Sequence, residues 1–134
     1  MIGDDQPHIT HQHGDAGLRW LLDRREQWGL VDSELASLLG VSTERLLSWE
    51  EKVLSNELVK LPSDVIERIG LLLALHKGLV YLTPSGNEQL AVEWFKKPVT
   101  MWGLKGSSIR AHLLDDPSIE ALSDMVHRIR SASV

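Results

Sequence analysis

The chain has 134 residues, no cysteine and a formal net charge of −5, so disulfides and thiolate zinc sites are excluded. Its apolar fraction of 43% and charged fraction of 25% are typical of a soluble globular protein with one compact domain or two small helical lobes. The sequence has no apolar run long enough to span a membrane and no secretory signal, so we expect a cytoplasmic protein.

The acidic charge is concentrated in the first part of the chain. Residues 1–78 contain eight Lys or Arg against thirteen Asp or Glu, whereas residues 79–134 contain six of each. A DNA-binding protein normally draws its sequence-independent affinity from a basic face. The charge distribution therefore argues against tight DNA binding by the first part.

The first residues show no apolar periodicity. Residues 1–15 mix Gly, Asp, Gln and His and are predicted to form a flexible tail. His8, His11 and His13 lie close enough in sequence to suggest a metal site. Their spacing matches no helix face, however, and a polar tail is the simpler interpretation. We therefore predict no metal site.

Helical spacing begins at Ala16, and Gly29 is predicted to end the first helix. A second helix follows in the segment VDSELASLLG, residues 31–40. Asp32 or Ser33 is the expected N-cap, because a short polar side chain can accept a hydrogen bond from an unpaired N–H of the first turn.

The spacing around residue 40 is that of a helix-turn-helix motif. Counting from Asp32, the key positions are a small residue, a glycine and two apolar anchors, namely Ala36, Gly40, Leu46 and Trp49. These residues allow a close helix crossing, a tight turn and attachment of the second helix to the core. Ser42 is expected to cap that second helix.

The second helix of such a motif normally lies against DNA. Five residues could contact bases or phosphates: Ser42, Thr43, Arg45, Ser48 and Lys52. The same helix carries Glu44, Glu50 and Glu51, and carboxylates oppose a polyanion. The pattern therefore predicts a helix-turn-helix scaffold and leaves its binding to DNA open.

The middle of the chain continues the helical pattern. Pro62 is expected to begin a long helix with a buried apolar stripe, and Gly78 to end it. His76 lies near that end, where capping is a simpler role than catalysis. Thr83 and Pro84 are typical of the N-cap and first residue of the next helix.

The last third of the chain also lacks strand-like alternation. Pro98 ends a helix, a short helix is predicted over residues 108–114, and Pro117 restarts the chain into a final amphipathic helix. We therefore predict an all-α protein. Its predicted domains are a helix-turn-helix domain at residues 16–80 and a small helical domain at residues 81–134.

No catalytic motif is found. The sequence has no phosphate-binding glycine loop, no HExxH or GxSxG motif and no cysteine nucleophile. His127 lies three residues from Asp124, which a surface pair explains. We predict a protein without catalytic residues or a cofactor, and an enzyme remains only a third hypothesis.

Protein binding is favoured by the aromatic segment AVEWFKKPVTMWGLKGSS, residues 91–108. Trp94 has the helical spacing of a core residue. Trp102 lies between Met101 and Gly103 in the middle of a loop, where a core role and contact with a partner are equally favoured.

Together these features resemble the Xre/MbcA/ParS antitoxin family, whose members join an Xre-like helix-turn-helix region to a C-terminal toxin-binding domain. The resemblance covers Ala16 to the C-terminus. It is carried by an ordered set of residues: Ala91, Trp94, Pro98, Trp102, Gly103, Leu104, Gly106, Leu113, Leu114, Leu122, Val126 and Ile129. The family commonly has proline after the turn glycine, where this chain has Ser107.

The resemblance implies an antitoxin of a type II toxin–antitoxin system that binds and inhibits a RES-domain toxin. Such toxins are similar to ADP-ribosyltransferases and consume NAD. The resemblance also implies a homodimer within a toxin–antitoxin hetero-oligomer, which represses its own operon by binding operator DNA. The alternative is a stand-alone helix-turn-helix transcriptional regulator.

The resemblance also indicates where the toxin would bind. The toxin-facing turn would comprise Trp102, Gly103, Leu104, Lys105, Gly106 and Arg110. The C-terminal segment HRIRSASV adds Arg128, Arg130 and Val134. For this segment a frayed terminus is the alternative interpretation.

Overall fold

The computed structural model describes residues 11–132, with side chains from residue 14 onwards. All regular structure in that range is helical, which confirms the predicted all-α fold. The helices are α1 (His11–Arg24), α2 (Asp32–Leu39), α3 (Thr43–Leu54), α4 (Ser63–Leu82), α5 (Glu88–Lys96), α6 (Ile109–Asp115) and α7 (Ile119–Ala132), with a 3₁₀ turn at Pro84–Gly86.

Helix α4 lies at the centre of the fold, because α1, α2, α5 and α7 all pack against it. A single core of buried apolar side chains extends through these helices. The prediction that Gly78 ends α4 is wrong, since the helix continues to Leu82. A Cβ on Gly78 would lie 3.1 Å from Ile129 Cγ2, so this glycine allows α7 to approach closely. The domain boundary predicted between residues 80 and 81 therefore falls within α4.

Helix α1 begins at His11, so residues 11–15 are helical and the predicted tail boundary at residue 15 is wrong. Asp15 is buried and accepts hydrogen bonds from the backbone N–H of Val59 (3.1 Å) and from Arg19 Nε (2.8 Å). These bonds satisfy its carboxylate and fix the start of the helix. The cluster of His8, His11 and His13 lies outside the residues whose side chains the structure describes.

Two predicted N-caps are also wrong. Asp32 and Ser33 lie inside α2, and Val31 occupies the N-cap position. The reason is Glu34, whose Oε1 accepts the backbone N–H of Val31 at 3.0 Å. Thr83 precedes the short 3₁₀ turn and makes no side-chain capping bond, because Asn87 Oδ1 accepts the N–H of Leu90 at 3.1 Å and starts α5.

Two serines cap helices through their side chains, and the first of these caps was predicted from the sequence. Ser42 caps α3 by accepting the N–H of Arg45 at 3.1 Å. Ser108 caps α6 by accepting the N–H of Ala111 at 2.9 Å. In both places the serine hydroxyl accepts the N–H of the residue three positions ahead, as is typical of an N-cap.

Candidate protein-binding and DNA-binding surfaces

Helices α2 and α3 form the predicted helix-turn-helix. Gly40 adopts a φ of 74° between them, a left-handed conformation that glycine accommodates without strain. Leu46 and Trp49 are buried and attach α3 to the core, with Leu46 at 0% exposure. The packing residues of the motif therefore have the roles that their spacing predicted.

Helix α1 holds the far end of α3 through Arg19. The guanidinium donates to the carbonyl oxygens of Val53 (3.3 Å) and Glu57 (2.9 Å) while Asp15 holds its Nε. Asn56, with a φ of 61°, ends the helix, and Glu57 N–H donates to Lys52 O at 2.8 Å. This is the Schellman type of C-terminal cap. The C-terminal end of α3 is therefore both capped and tied to α1.

The outward side of α3 carries three pairs of residues, each spaced by seven positions and therefore by two helical turns. The pairs are Leu47 and Leu54, Glu44 and Glu51, and Arg45 and Lys52. All six side chains are exposed. Helical geometry places the glutamate pair in the middle, with the leucines on one flank and the basic residues on the other.

The five predicted DNA-contacting residues have different surroundings. Ser42 Oγ is engaged as the N-cap of α3, and Thr43 is half-buried. The Arg45 guanidinium lies 5.1 Å from the ring centre of Trp49. Ser48 and Lys52 are exposed. Only one flank of the helix is thus basic.

The loop between α5 and α6, residues 97–108, is closed on itself by backbone hydrogen bonds. Val99 accepts the N–H of Gly106 at 2.9 Å and donates its own N–H to Ser107 O at 3.1 Å. Inside this closure Leu104 N–H donates to Met101 O at 3.1 Å, and Ser107 N–H donates to Leu104 O at 3.0 Å. The loop therefore consists of two consecutive tight turns. A proline in place of Ser107 would lose the second turn's hydrogen bond.

Both turns use left-handed backbone at their centres. Trp102 and Gly103 have φ values of 57° and 73°, and Lys105 and Gly106 have 53° and 94°. Positive φ at both central residues is the pattern of the type I′ turn. For Trp102 and Lys105, which have a Cβ, this conformation costs on the order of 1–2 kcal/mol each. Such strain persists only where surrounding contacts hold it.

Three contacts hold the loop in this conformation. Leu104 is buried in the core at 5% exposure. The half-buried ring of Trp102 packs edge-on against Trp94, with ring centres 6.2 Å apart. Arg128 of α7 donates from Nη1 to Trp102 O at 2.8 Å, while its Nη2 lies 2.8 Å from Asp124 Oδ2. Two sequence-predicted residues, Trp102 and Arg128, are thus brought together.

The remaining predicted toxin-binding residues lie elsewhere. Arg110 donates from Nε to Gly29 O at 2.8 Å and from Nη2 to both carboxylate oxygens of Glu34 at 2.8 Å. It therefore joins α6 to α2 instead of facing outward with the loop. Arg130 is exposed and lines a small groove of about 240 Å³ beside Tyr81. Val134 lies outside the described residues.

Met101 was not among the predicted binding residues, although it is an exposed apolar side chain of the loop. Met101 is 43% exposed, directly before Trp102, whose ring is half-buried. Lys105 is exposed at the centre of the second turn. The exposed tip therefore combines a flexible thioether and an ammonium group. A loop has no regular periodicity, so its buried and exposed residues could not be distinguished from the sequence.

His76 lies in an aromatic cluster on the side of the molecule where α1, α4 and α5 meet. Its ring stacks on Trp28 at 5.5 Å and meets Trp20 edge-on at 4.9 Å, both between ring centres. Its Nε2 lies 3.2 Å from Glu88 Oε2. Burial lowers the pKa of His76, and the Glu88 carboxylate opposes that effect only in part. The side chain therefore connects three helices. The prediction that it lies near the end of its helix is wrong, since α4 continues to Leu82.

Comparison with protein-family models, with curated proteins and with solved structures gives no match for this chain. Among the described residues, no group of three His, Asp or Glu side chains is arranged to hold a metal ion. None of the helices that the structure describes is both long and apolar enough to cross a membrane.

Proposed function

We propose that this protein is the cytoplasmic antitoxin of a type II toxin–antitoxin system and that it inhibits a RES-domain, NAD-consuming toxin by direct binding. The proposal includes a homodimer within the toxin–antitoxin complex and operator binding as a secondary role. It rests on the resemblance of the sequence to the Xre/MbcA/ParS family. The observation that supports it best is the constrained loop at residues 97–108.

The loop has the properties of a preorganised binding element. Its backbone is fixed by four internal hydrogen bonds at Val99, Leu104, Gly106 and Ser107, and by Arg128 from outside. A segment that is ordered before binding does not lose that conformational entropy when the partner binds. The strained φ values at Trp102 and Lys105 are consistent with a functional requirement for this shape.

In this proposal the residues of the loop have separate roles. Met101 and Lys105 are exposed and would contact the toxin. Trp102 and Leu104 hold the loop on the core, and Arg128 is a positioning residue that fixes the backbone of Trp102. Contact with an enzyme that binds the anionic substrate NAD would favour a cation at the tip, which Lys105 supplies.

The proposal is tested with the RES-domain protein encoded by the native genome, by following NAD hydrolysis as the purified protein is added. We expect stoichiometric inhibition by the wild type and at least tenfold weaker inhibition by Lys105→Glu. Lys60→Glu is the matched control, since Lys60 is also exposed and the change in net charge is identical. Full NAD hydrolysis in the presence of excess wild-type protein would contradict the proposal.

A second pair of variants tests the loop backbone. Gly106 and Gly86 both have positive φ, at 94° and 64°, and a Cβ at either position would meet no atom closer than 4.0 Å. An alanine should therefore cost on the order of 1 kcal/mol at either site through backbone strain alone. Only Gly106→Ala should weaken inhibition. Equal inhibition by the two variants would show that the toxin does not contact this loop.

The stand-alone regulator remains the alternative function. It requires tight binding of operator DNA by the isolated protein, with a steep dependence on salt concentration. The exposed side of α3 offers Arg45 and Lys52 as cations, with Glu44 and Glu51 beside them. This arrangement supports DNA binding only as the weaker of the two activities.

A further inference from the structure

The outward side of α3 has an unused apolar flank. Leu54 is 80% exposed and Leu47 is 40% exposed, and Leu58 beyond the helix is 52% exposed. Leu47 and Leu54 are separated by two turns, roughly 10 Å along the helix axis. Leucines exposed in line along one flank of a helix are the kind of anchor through which a helix binds another protein.

The charge beside these leucines is negative. Glu44 and Glu51 are exposed and form no ion pair within the part of the chain that the structure describes. They run parallel to Leu47 and Leu54 on the same helix. An apolar stripe bordered by unpaired carboxylates is complementary to an amphipathic helix that carries leucine-like residues and flanking Lys or Arg.

A second copy of this chain does not fit the surface. In an antiparallel pair packed through Leu47 and Leu54, two-fold symmetry would bring the Glu44–Glu51 flank against itself. In a parallel pair that flank would meet Thr43 and Glu50, and Glu50 is already paired with Arg25. Neither arrangement supplies a cation to the exposed carboxylates.

DNA fits this flank no better. Leucine side chains gain little from phosphate groups, and two carboxylates would repel the backbone unless each met a donor. The two cations, Arg45 and Lys52, lie on the opposite flank of the exposed surface. Apolar and acidic residues therefore form the larger part of the exposed surface of α3.

We propose that Leu47, Leu54, Glu44 and Glu51 form a docking surface for a basic amphipathic helical segment of another protein. The hydrogen bonds of Arg19 to the C-terminal end of α3 hold this surface in place before the partner binds. The inference does not rest on the proposed function, because it uses no residue of the loop at 97–108.

The test measures binding of a fluorescein-labelled helical peptide of roughly 20 residues, with leucines at heptad spacing and flanking lysines, to the full chain. Leu54→Ser and Glu51→Lys should each weaken binding by about tenfold or more. Their matched controls are Tyr81→Ser, which changes a residue 75% exposed on α4, and Glu120→Lys, which changes an exposed residue of α7. Both controls should change the affinity by less than about twofold.

Several results would overturn the proposal. Equal weakening by Glu51→Lys and Glu120→Lys would show nonspecific attraction to the acidic chain, and no weakening by Leu54→Ser would place the peptide elsewhere. Equal binding of a peptide with glutamates in place of the lysines would also refute it. A concentration-dependent dimer that Leu54→Ser abolishes, measured by sedimentation equilibrium, would assign the surface to a second copy. If duplex DNA displaces the peptide and Arg45→Ala prevents this displacement, the surface would be assigned to nucleic acid.

Discussion

The outward side of α3 and the loop at residues 97–108 are both candidate binding surfaces, but the protein holds them in place in different ways. Helix α3 is attached by the buried side chains of Leu46 and Trp49. The loop is attached by one buried leucine, Leu104, by the packing of Trp102 against Trp94 and by one hydrogen bond from Arg128. Apolar burial dominates at the first surface, and a directional polar contact has a larger share at the second.

This difference has an energetic consequence. Burial of a leucine side chain contributes about 2–3 kcal/mol and depends little on exact geometry. A hydrogen bond from a partly exposed guanidinium contributes about 1 kcal/mol and is lost when the acceptor moves by an ångström or so. We therefore expect α3 to be lost only with the fold, whereas the loop can open while the fold remains.

The largest expected effect is that of Leu46→Ala. The side chain is completely buried, so its removal should lower the free energy of unfolding by about 3 kcal/mol, within the range for buried leucines. Urea denaturation followed by circular dichroism measures this loss. Leu47→Ala is the control, because that neighbour is 40% exposed and should change stability by less than about 1 kcal/mol. Equal losses would contradict the attachment of α3 through Leu46.

A smaller effect is expected for Arg128→Ala. The change removes the hydrogen bond to Trp102 O and should lower the free energy of unfolding by only about 1 kcal/mol. It should nevertheless release the loop, so that trypsin cleaves after the exposed Lys105 several times faster than in the wild type. Arg128→Lys should behave similarly, because an ammonium cannot bridge Trp102 O and Asp124 as the planar guanidinium does.

The control for this experiment is cleavage after Lys60, which is exposed outside the loop. Its rate should stay within about twofold of the wild-type rate, since the fold remains intact. Unchanged cleavage after Lys105 in both variants would show that the loop holds its shape without Arg128. Equal acceleration after Lys60 and Lys105 would indicate general destabilisation instead.

The same difference explains what the sequence could predict. The exposed and buried residues of α3 follow from helical periodicity, so Leu46 and Trp49 were assigned correctly from spacing alone. The cap at Ser42 depends on a residue only three positions away, so it could also be predicted from the sequence. Each of these predictions needs only short-range information.

Features set by distant parts of the chain were not predictable in this way. The hydrogen bond between Arg128 and Trp102 O joins residues 26 positions apart, and that between Arg110 and Glu34 joins residues 76 apart. Gly78 has the sequence pattern of a helix end, yet it lies inside α4 because α7 needs the space. In each case tertiary packing decided between conformations that local sequence allows.

The smallest expected effect is a pH dependence of the free energy of unfolding. It should be felt in α5, which leads into the loop, more than in α3. Burial lowers the pKa of His76 below its ordinary value of 6.5, and Arg24 lowers it further. As the pH falls below about 6.5, the unfolded chain takes up a proton that the folded protein does not. The free energy of unfolding therefore decreases until His76 is protonated in the folded state as well. Glu88 opposes the shift and keeps this decrease small.

His76→Phe isolates this contribution, because the ring can still pack between Trp20 and Trp28 but no longer titrates. We expect thermal stability to fall more steeply between about pH 7 and pH 5 in the wild type than in the variant. Amide protection factors, which correct for the slower intrinsic hydrogen exchange at lower pH, should fall in α5, where Glu88 lies, before they fall in α3. Parallel stability curves for the two proteins would show that protonation of His76 does not control this side of the fold. Protection that falls first in α3 would reverse the comparison, since the helix fixed by apolar burial would then be the less stable of the two helices.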